Sequence, residues 1–214
     1  MVSVLNDIFQ VWQTHSLTLR TIEHLYMFSV ALLISSVIGV VLGITIYYNR
    51  KLANPVLNLL NIFETTPDIA LLVILLPLAG LGTLPTIIAS ILYSLLPITR
   101  NTYTGLKGVD RKYINISQAL GLSPREILFK VRIPMSLPLI AGGIRIALVF
   151  TMGLVTLGGL IAAGGLGTTL QTGIQLYEVN TILVAGIWTG LLAVILDGFA
   201  GIVEKRLKAR YEIW

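Results

Sequence analysis

Four stretches without a charged side chain dominate this sequence: Leu25 to Tyr48, Ile69 to Thr99, Ile146 to Tyr177 and Val179 to Leu196. Together they fill about half of the 214 positions. A helix needs about 20 apolar residues to cross a hydrocarbon core roughly 30 Å thick, so the chain is expected to fold in a bilayer as an all-α, polytopic membrane protein. Charged residues make up 12% of the sequence, against about 25% in soluble domains, and mean hydropathy is +0.87. A soluble enzyme, a collagen-like rod and a disordered tail are excluded. The chain has no cysteine, which removes disulfides, thiolate-ligated metal and thiol nucleophiles.

The runs divide into five expected spans within one transmembrane domain, 1–214. The first covers about 24–48, flanked by Tyr26 and by Tyr47 and Tyr48, ring types that favour the headgroup zone. Ile69 to Thr99 is too long for one untilted helix, and Gly80-Leu81-Gly82-Thr83 interrupts it with turn residues. It is therefore split into spans at about 55–79 and 84–104, the former starting at Pro55, whose missing N–H is tolerated in a first helical turn. The fourth span is placed at about 137–160, broken by Gly158-Gly159 and Ala162 to Gly167, and the fifth at 180–203.

Lys and Arg near span ends stay on the cytoplasmic side. Arg50 and Lys51, the seven basic residues from Arg100 to Arg132, and the four from Lys205 to Arg210 lie on one side, making 13 of the 15. That puts the N-terminus outside and the C-terminus inside, in the cytoplasmic membrane. Basic residues between spans account for the net charge of +5 without a nucleic-acid partner. Residues 1–20 lack a cleavable signal pattern, since Asp7 precedes any apolar run. Trp12 and Leu17 mark a short amphipathic outer segment.

The loop at 105–136 is the one sizeable polar segment, and a partner is expected to dock there. Asp110 to Leu120 reads as a helix ended by Gly121, which tolerates a left-handed conformation. Ser123-Pro124-Arg125-Glu126 is a capping box opening a second helix, closed by Pro134 and Pro138 at the start of the next span. On shape alone this is either a rigid coupling elbow or an ordinary helical hairpin.

The spacing resembles the permease subunits of bacterial ATP-binding-cassette importers, whose cytoplasmic loop carries Glu-Ala-Ala, three residues, Gly, nine residues, then Ile-x-Leu-Pro. Here Gly121 is followed after nine residues by Val131-Arg132-Ile133-Pro134. Asn115 stands where the family has Glu, followed by Ile116 and Ser117. Four further strings in order resemble the osmoprotectant importers for glycine betaine, carnitine and choline. They are Glu64-Thr65-Thr66-Pro67, Pro77 to Gly82, Leu137-Pro138 with Ala141 to Arg145, and Ala163-Gly164-Gly165-Leu166-Gly167; Asp68 departs from the small residue usual after Thr-x-Pro.

The resemblance implies a type I importer permease, similar to the five-span methionine permeases, with two ATP-binding subunits and a second permease chain, identical or paralogous. An extracellular substrate-binding protein completes the set. ATP and Mg would reside on the ATPase, with no cofactor or metal on this chain and no catalysis by it. Ala119, Leu120, Gly121, Leu122 and Ser123 would contact the ATPase, with Asn115, Ser117 and Pro134 completing the coupling motif. The same reading leaves an amino-acid permease, such as the methionine type, as the alternative. A secondary transporter would need an inverted repeat, which the sequence does not display.

No GxxxxGK[ST] string is present, consistent with hydrolysis on another chain. Glu64 and Asp68, four apart, are expected on one face of the second span beside a kink at Pro67, with Thr65. Either this acidic face lines the passage and favours a cation, or Glu64 lies near the cytoplasmic surface while Asp68 pairs with Arg100 or Arg145. Gly142, Gly143, Gly153, Gly158 and Gly159 are expected to form a close-packing seam, within the chain or between two permeases. Ala163 to Gly167 reads as a re-entrant outer element or a loop, and His15 and His24 as interfacial residues.

Overall fold

The computed structural model describes residues 2–211, and among them there is no strand. Helix α1 (Val2–Thr14) leads into α2 (Leu17–Tyr48), a single 32-residue helix. It begins seven residues before the expected span because its polar first turns are held internally: Arg20 bonds Glu23 at 2.9 Å. Along one side of α2, Ala31, Ser35, Gly39 and Gly43 recur every four residues and are buried. They face α5 (Thr83–Gly108) so closely that a Cβ at Gly39 would sit 2.7 Å from Ile98 Cγ2. Backbones approach this closely in membranes because small residues allow dispersion contacts that no hydrophobic driving force supplies.

The 55–79 segment is not one kinked helix. It is two: α3 (Ala53–Thr65) and α4 (Asp68–Ala79), set at 100° to each other. Thr66 is extended, at φ −69° and ψ 130°, the conformation forced on a residue before proline, and Pro67 has no N–H with which to continue the ladder. Gly80 and Gly82 then turn the chain with positive φ, and Gly82 N–H donates to Ile161 O at 2.9 Å.

After α5 come α6 (Arg111–Ala119) and the one-turn α7 (Pro124–Ile127). The expected stop at Pro134 is absent: α7 passes through a wide π turn, Leu128–Arg132, into α8 (Ile133–Leu157). A proline inside a regular α-helix clashes with the carbonyl four residues back, and the wider turn immediately before Pro134 relieves this. The second arm of the loop and the membrane helix are thus one rod, Pro124–Ile161.

Gly158–Ile161 form a 3-10 turn, Ala162 is left-handed, and α9 (Gly165–Leu176) follows before α10 (Val179–Tyr211). The Ala163 to Gly167 string is packed rather than exposed: Ala163, Gly165, Leu166 and Gly167 are buried, and α9 packs on α2 and α10. Helices α2, α5 and α8 form the centre; α3 and α4 lie against α5, and α9 and α10 against α2 and α8. Among the described residues, four helices are long and apolar enough to cross a membrane, or five if the bent pair α3–α4 counts as one crossing.

Candidate functional site

The elbow at 110–134 is built from local rules. Asp110 caps α6 by accepting the Lys112 N–H at 2.8 Å. At the other end Gly121, φ +81°, donates to Gln118 O, and Leu122 donates to Ser117 O, the paired bonds of a Schellman stop. Ser123 opens α7: its Oγ accepts from Glu126 N–H, while the Ser123 N–H donates to Glu126 Oε2 at 3.0 Å. Lys130 Nζ lies 2.8 Å from the other carboxylate oxygen. That ammonium foremost, then the Ser123 N–H and hydroxyl, hold the Glu126 carboxyl down at about 2.

Asn115, Ala119, Leu120, Gly121 and Ser123 are exposed at the tip, with Leu120 at 74% and nearby Ile116 and Phe129 also bare. A Cβ at Gly121 would meet no atom within 4 Å. Leu122 is half-buried, and two residues of the motif turn inward. Ser117 is buried, its hydroxyl donating to Tyr113 O at 2.7 Å, and Pro134 sits half-buried inside the continuous rod. The tip is therefore an apolar, uncovered surface on a stiff frame.

The second cluster is the break between α3 and α4. Because helix geometry ends at Thr65, Glu64 and Asp68 do not share a helix face; one closes α3 and the other opens α4. The Thr66 N–H donates to Ile62 O, and the freed Thr66 carbonyl accepts the Tyr93 hydroxyl from α5. Thr65 and Pro67 are exposed, and Glu64 and Asp68 are half-buried. Irregular backbone at membrane depth occurs only where protein or a water-filled cavity satisfies it, and Tyr93 does so here on one side.

The pairing of Asp68 with Arg100 or Arg145 is not what the fold makes. Arg145 on α8 instead reaches α10, where its Nε and Nη2 bond the two Asp197 oxygens at 2.6 and 2.8 Å and Nη1 bonds Glu204 at 3.1 Å. Lys208 closes the network on Glu204 at 2.6 Å. The sequence reading missed Asp197 and Glu204 as its partners, although their seven-residue spacing places both on one side of α10.

Of the five seam glycines, three make close approaches. Gly143 lies against Asn101 and Pro97 of α5, Gly158 against Thr86, and Gly159 against the Gly167 backbone. Gly142 meets only Glu204 at ordinary distance, and Gly153 meets nothing within 4 Å. The Gly39-x-x-x-Gly43 pair was legible as a small-residue seam and went unread. His24 is fully buried inside the protein, and its Nδ1 would lie 3.3 Å from a Cβ at Gly165.

Residues 35–209 match the family described as the binding-protein-dependent transport system inner membrane component. The chain is 34% identical over 205 residues to the glycine betaine/carnitine/choline transport system permease protein OpuCB of Bacillus subtilis, covering 95% of this chain and 94% of that one. It is 38% identical over 182 residues to the osmoprotectant import permease protein OsmW of Salmonella typhimurium, covering 83% and 85%. Among solved structures, the inward-facing MetNI methionine transporter superposes with a TM-score of 0.79 at 26% identity, over 89% of this chain and 96% of that one. Helix content, the elbow and the matched length agree, and the chain belongs to the family of membrane permeases of binding-protein-dependent ATP-binding-cassette importers.

Proposed function

We propose that this permease carries a quaternary-ammonium compatible solute such as glycine betaine, carnitine or choline into the cell. Two such chains, identical or paralogous, would form the passage, with two ATPases at the elbows holding ATP and Mg and an external binding protein delivering solute. The N-terminus lies outside and the C-terminus in the cytoplasm, as the 13 basic residues gathered on the elbow side support. The whole chain acts as one transmembrane permease domain.

The observation that carries the coupling half of this reading is the unbroken rod from Pro124 to Ile161, whose near end is the exposed, glycine-turned tip. A docked ATPase moving that tip moves α8 with it. The solute half rests on relatives named for these compounds that match most of the chain at 33–37% identity. Glu64, Thr65, Pro67 and Asp68 would line the passage, where two carboxylates beside a broken helix favour a cation over an anion.

The test has two arms. Gly121→Asp meets no atom within 4 Å but strains the +81° φ, so Gly121→Asn, with the same strain and no charge, is its control; the charge at the tip should strip the ATPase during purification where Asn keeps it, and full retention by the Asp variant refutes docking there. In cells, competition of labelled betaine uptake by carnitine, choline and methionine ranks the solute, and methionine winning refutes the quaternary-ammonium reading. Normal uptake by Glu64→Gln and Asp68→Asn would remove both acids from the path.

A further inference from the structure

A cavity of about 350 Å³ lies where the end of α2 meets the underside of the elbow. Tyr47, Tyr48 and Arg50 line it from one side, and Gln118, Leu122 and Arg132 from the other. Neither arginine has a carboxylate within 4 Å among the described residues. Arg132 is half-buried, with its guanidinium carbon 5.2 Å from the centre of the Tyr47 ring. Of its five N–H groups one has a protein partner among the described residues, donating to Leu106 O at 2.7 Å. A half-buried guanidinium with free donors, lining one cavity with a second cation, lacks its anion.

The approach to the cavity identifies the anion's source. Leu33, Val37 and Val41 of α2 are each more than half exposed and stack on one face, and Tyr48 continues that face to the cavity mouth. An apolar strip of this kind runs along acyl chains, and it ends at two interfacial tyrosines and two cations. We infer that the cavity bounded by Tyr47, Arg50 and Arg132 binds the phosphate of an anionic phospholipid, whose chains lie along the exposed face of α2. Basic pockets between membrane helices on the cytoplasmic side take such headgroups. The lipid would bridge α2 to Gln118 and Leu122, tying the elbow to the bilayer from its inner side while the tip stays free.

Native mass spectrometry of the full chain in detergent, titrated with phosphatidylglycerol or phosphatidylcholine, tests this. Phosphatidylglycerol should bind in preference to phosphatidylcholine. Arg50→Gln and Arg132→Gln should each weaken it roughly fivefold, the worth of one interfacial cation. Lys51→Gln, next to Arg50 but outside the cavity, should leave it unchanged. Arg50 is exposed and has no side-chain partner among the described residues, so its variant reports even if Arg132→Gln misfolds. Equal losses for Lys51→Gln and Arg50→Gln would overturn the site in favour of diffuse charge. Displacement of the lipid by inorganic phosphate at equal concentration would make this a free-anion site and refute the lipid. So would an Arg50→Gln chain that keeps its lipid but loses the ATPase, because the arginine would then serve a protein carboxylate.

Discussion

Gly143 and Gly153 lie ten residues apart on α8, and alanine at each should change stability in opposite directions. A methyl at Gly143 would sit 2.7 Å from Asn101 Cβ and 2.8 Å from Pro97 O. Carbon atoms rest about 3.5–4.0 Å apart, so α5 and α8 must separate by about 1 Å. Overpacking of this size costs about 1–3 kcal/mol, against which alanine recovers about 0.5–1 kcal/mol of helix preference. The net is a destabilisation centred on about 1.3 kcal/mol; at about 2–4 °C per kcal/mol for a chain of this length, Tm should fall by about 3–5 °C. Gly153 has no neighbour within 4 Å, so only the helix preference remains and Tm should rise by about 1–4 °C. Thermal unfolding of the two purified variants in detergent, followed by tryptophan fluorescence, makes the comparison. Equal shifts, or a rise at Gly143, would refute the claim that α5 and α8 touch through that glycine. A Gly153→Ala chain that is sound alone but fails to assemble would place its open side against the second permease.

Four other outcomes are expected. Ser123→Ala should cost about 1 kcal/mol of local stability at the α7 start, read as faster hydrogen exchange over 123–127. Because the Glu126 carboxyl is held at about 2, below its ordinary 4.5, its contribution is complete above about pH 4.5 and fades as pH falls toward 2; exchange protection corrected for intrinsic rate should be flat from pH 8 to 5. Arg145→Met combined with Asp197→Asn should show a coupling in Tm-derived stability beyond the roughly 0.3–0.5 kcal/mol scatter of independent sites, and simple additivity would mean that the α8–α10 pair carries no energy. Tyr93→Phe leaves the Thr66 carbonyl without its donor, a loss of about 1–3 kcal/mol, and should lower uptake while the complex still assembles; unchanged stability would separate Tyr93 from the break.

Much of this was readable because it is local. The charge-free runs locate α2, α5, α8 and α10, and Ser123, Glu126 and Gly121 specify the elbow by bonds spanning three to five residues. What escaped depends on partners distant in sequence or on backbone detail. Pro67 signals a disturbance, but whether it gives a kink or a 100° break depends on Tyr93, 27 residues away, taking up the freed carbonyl. Pro134 looks like a terminator until the π turn before it accommodates the ring. Helix α9 hid within an uncharged run because its Gly-Leu-Gly start, a loop signature elsewhere, is selected here for contact with Thr156 and His24. Arg145 gave no sign of whether its acids lay on α4 or α10, since either satisfies its charge.

The rod from Pro124 to Ile161 contains 38 residues, and at 1.5 Å per residue it measures about 57 Å, more than the hydrocarbon thickness it crosses. Such a beam magnifies small inputs: a rocking of about 5° at its elbow end sweeps the opposite tip sideways by about 5 Å, close to one helix pitch. That far tip ends in the tightly packed Gly159–Gly167 crossing, so any such rocking would pass to α9 rather than dissipate in a loose loop.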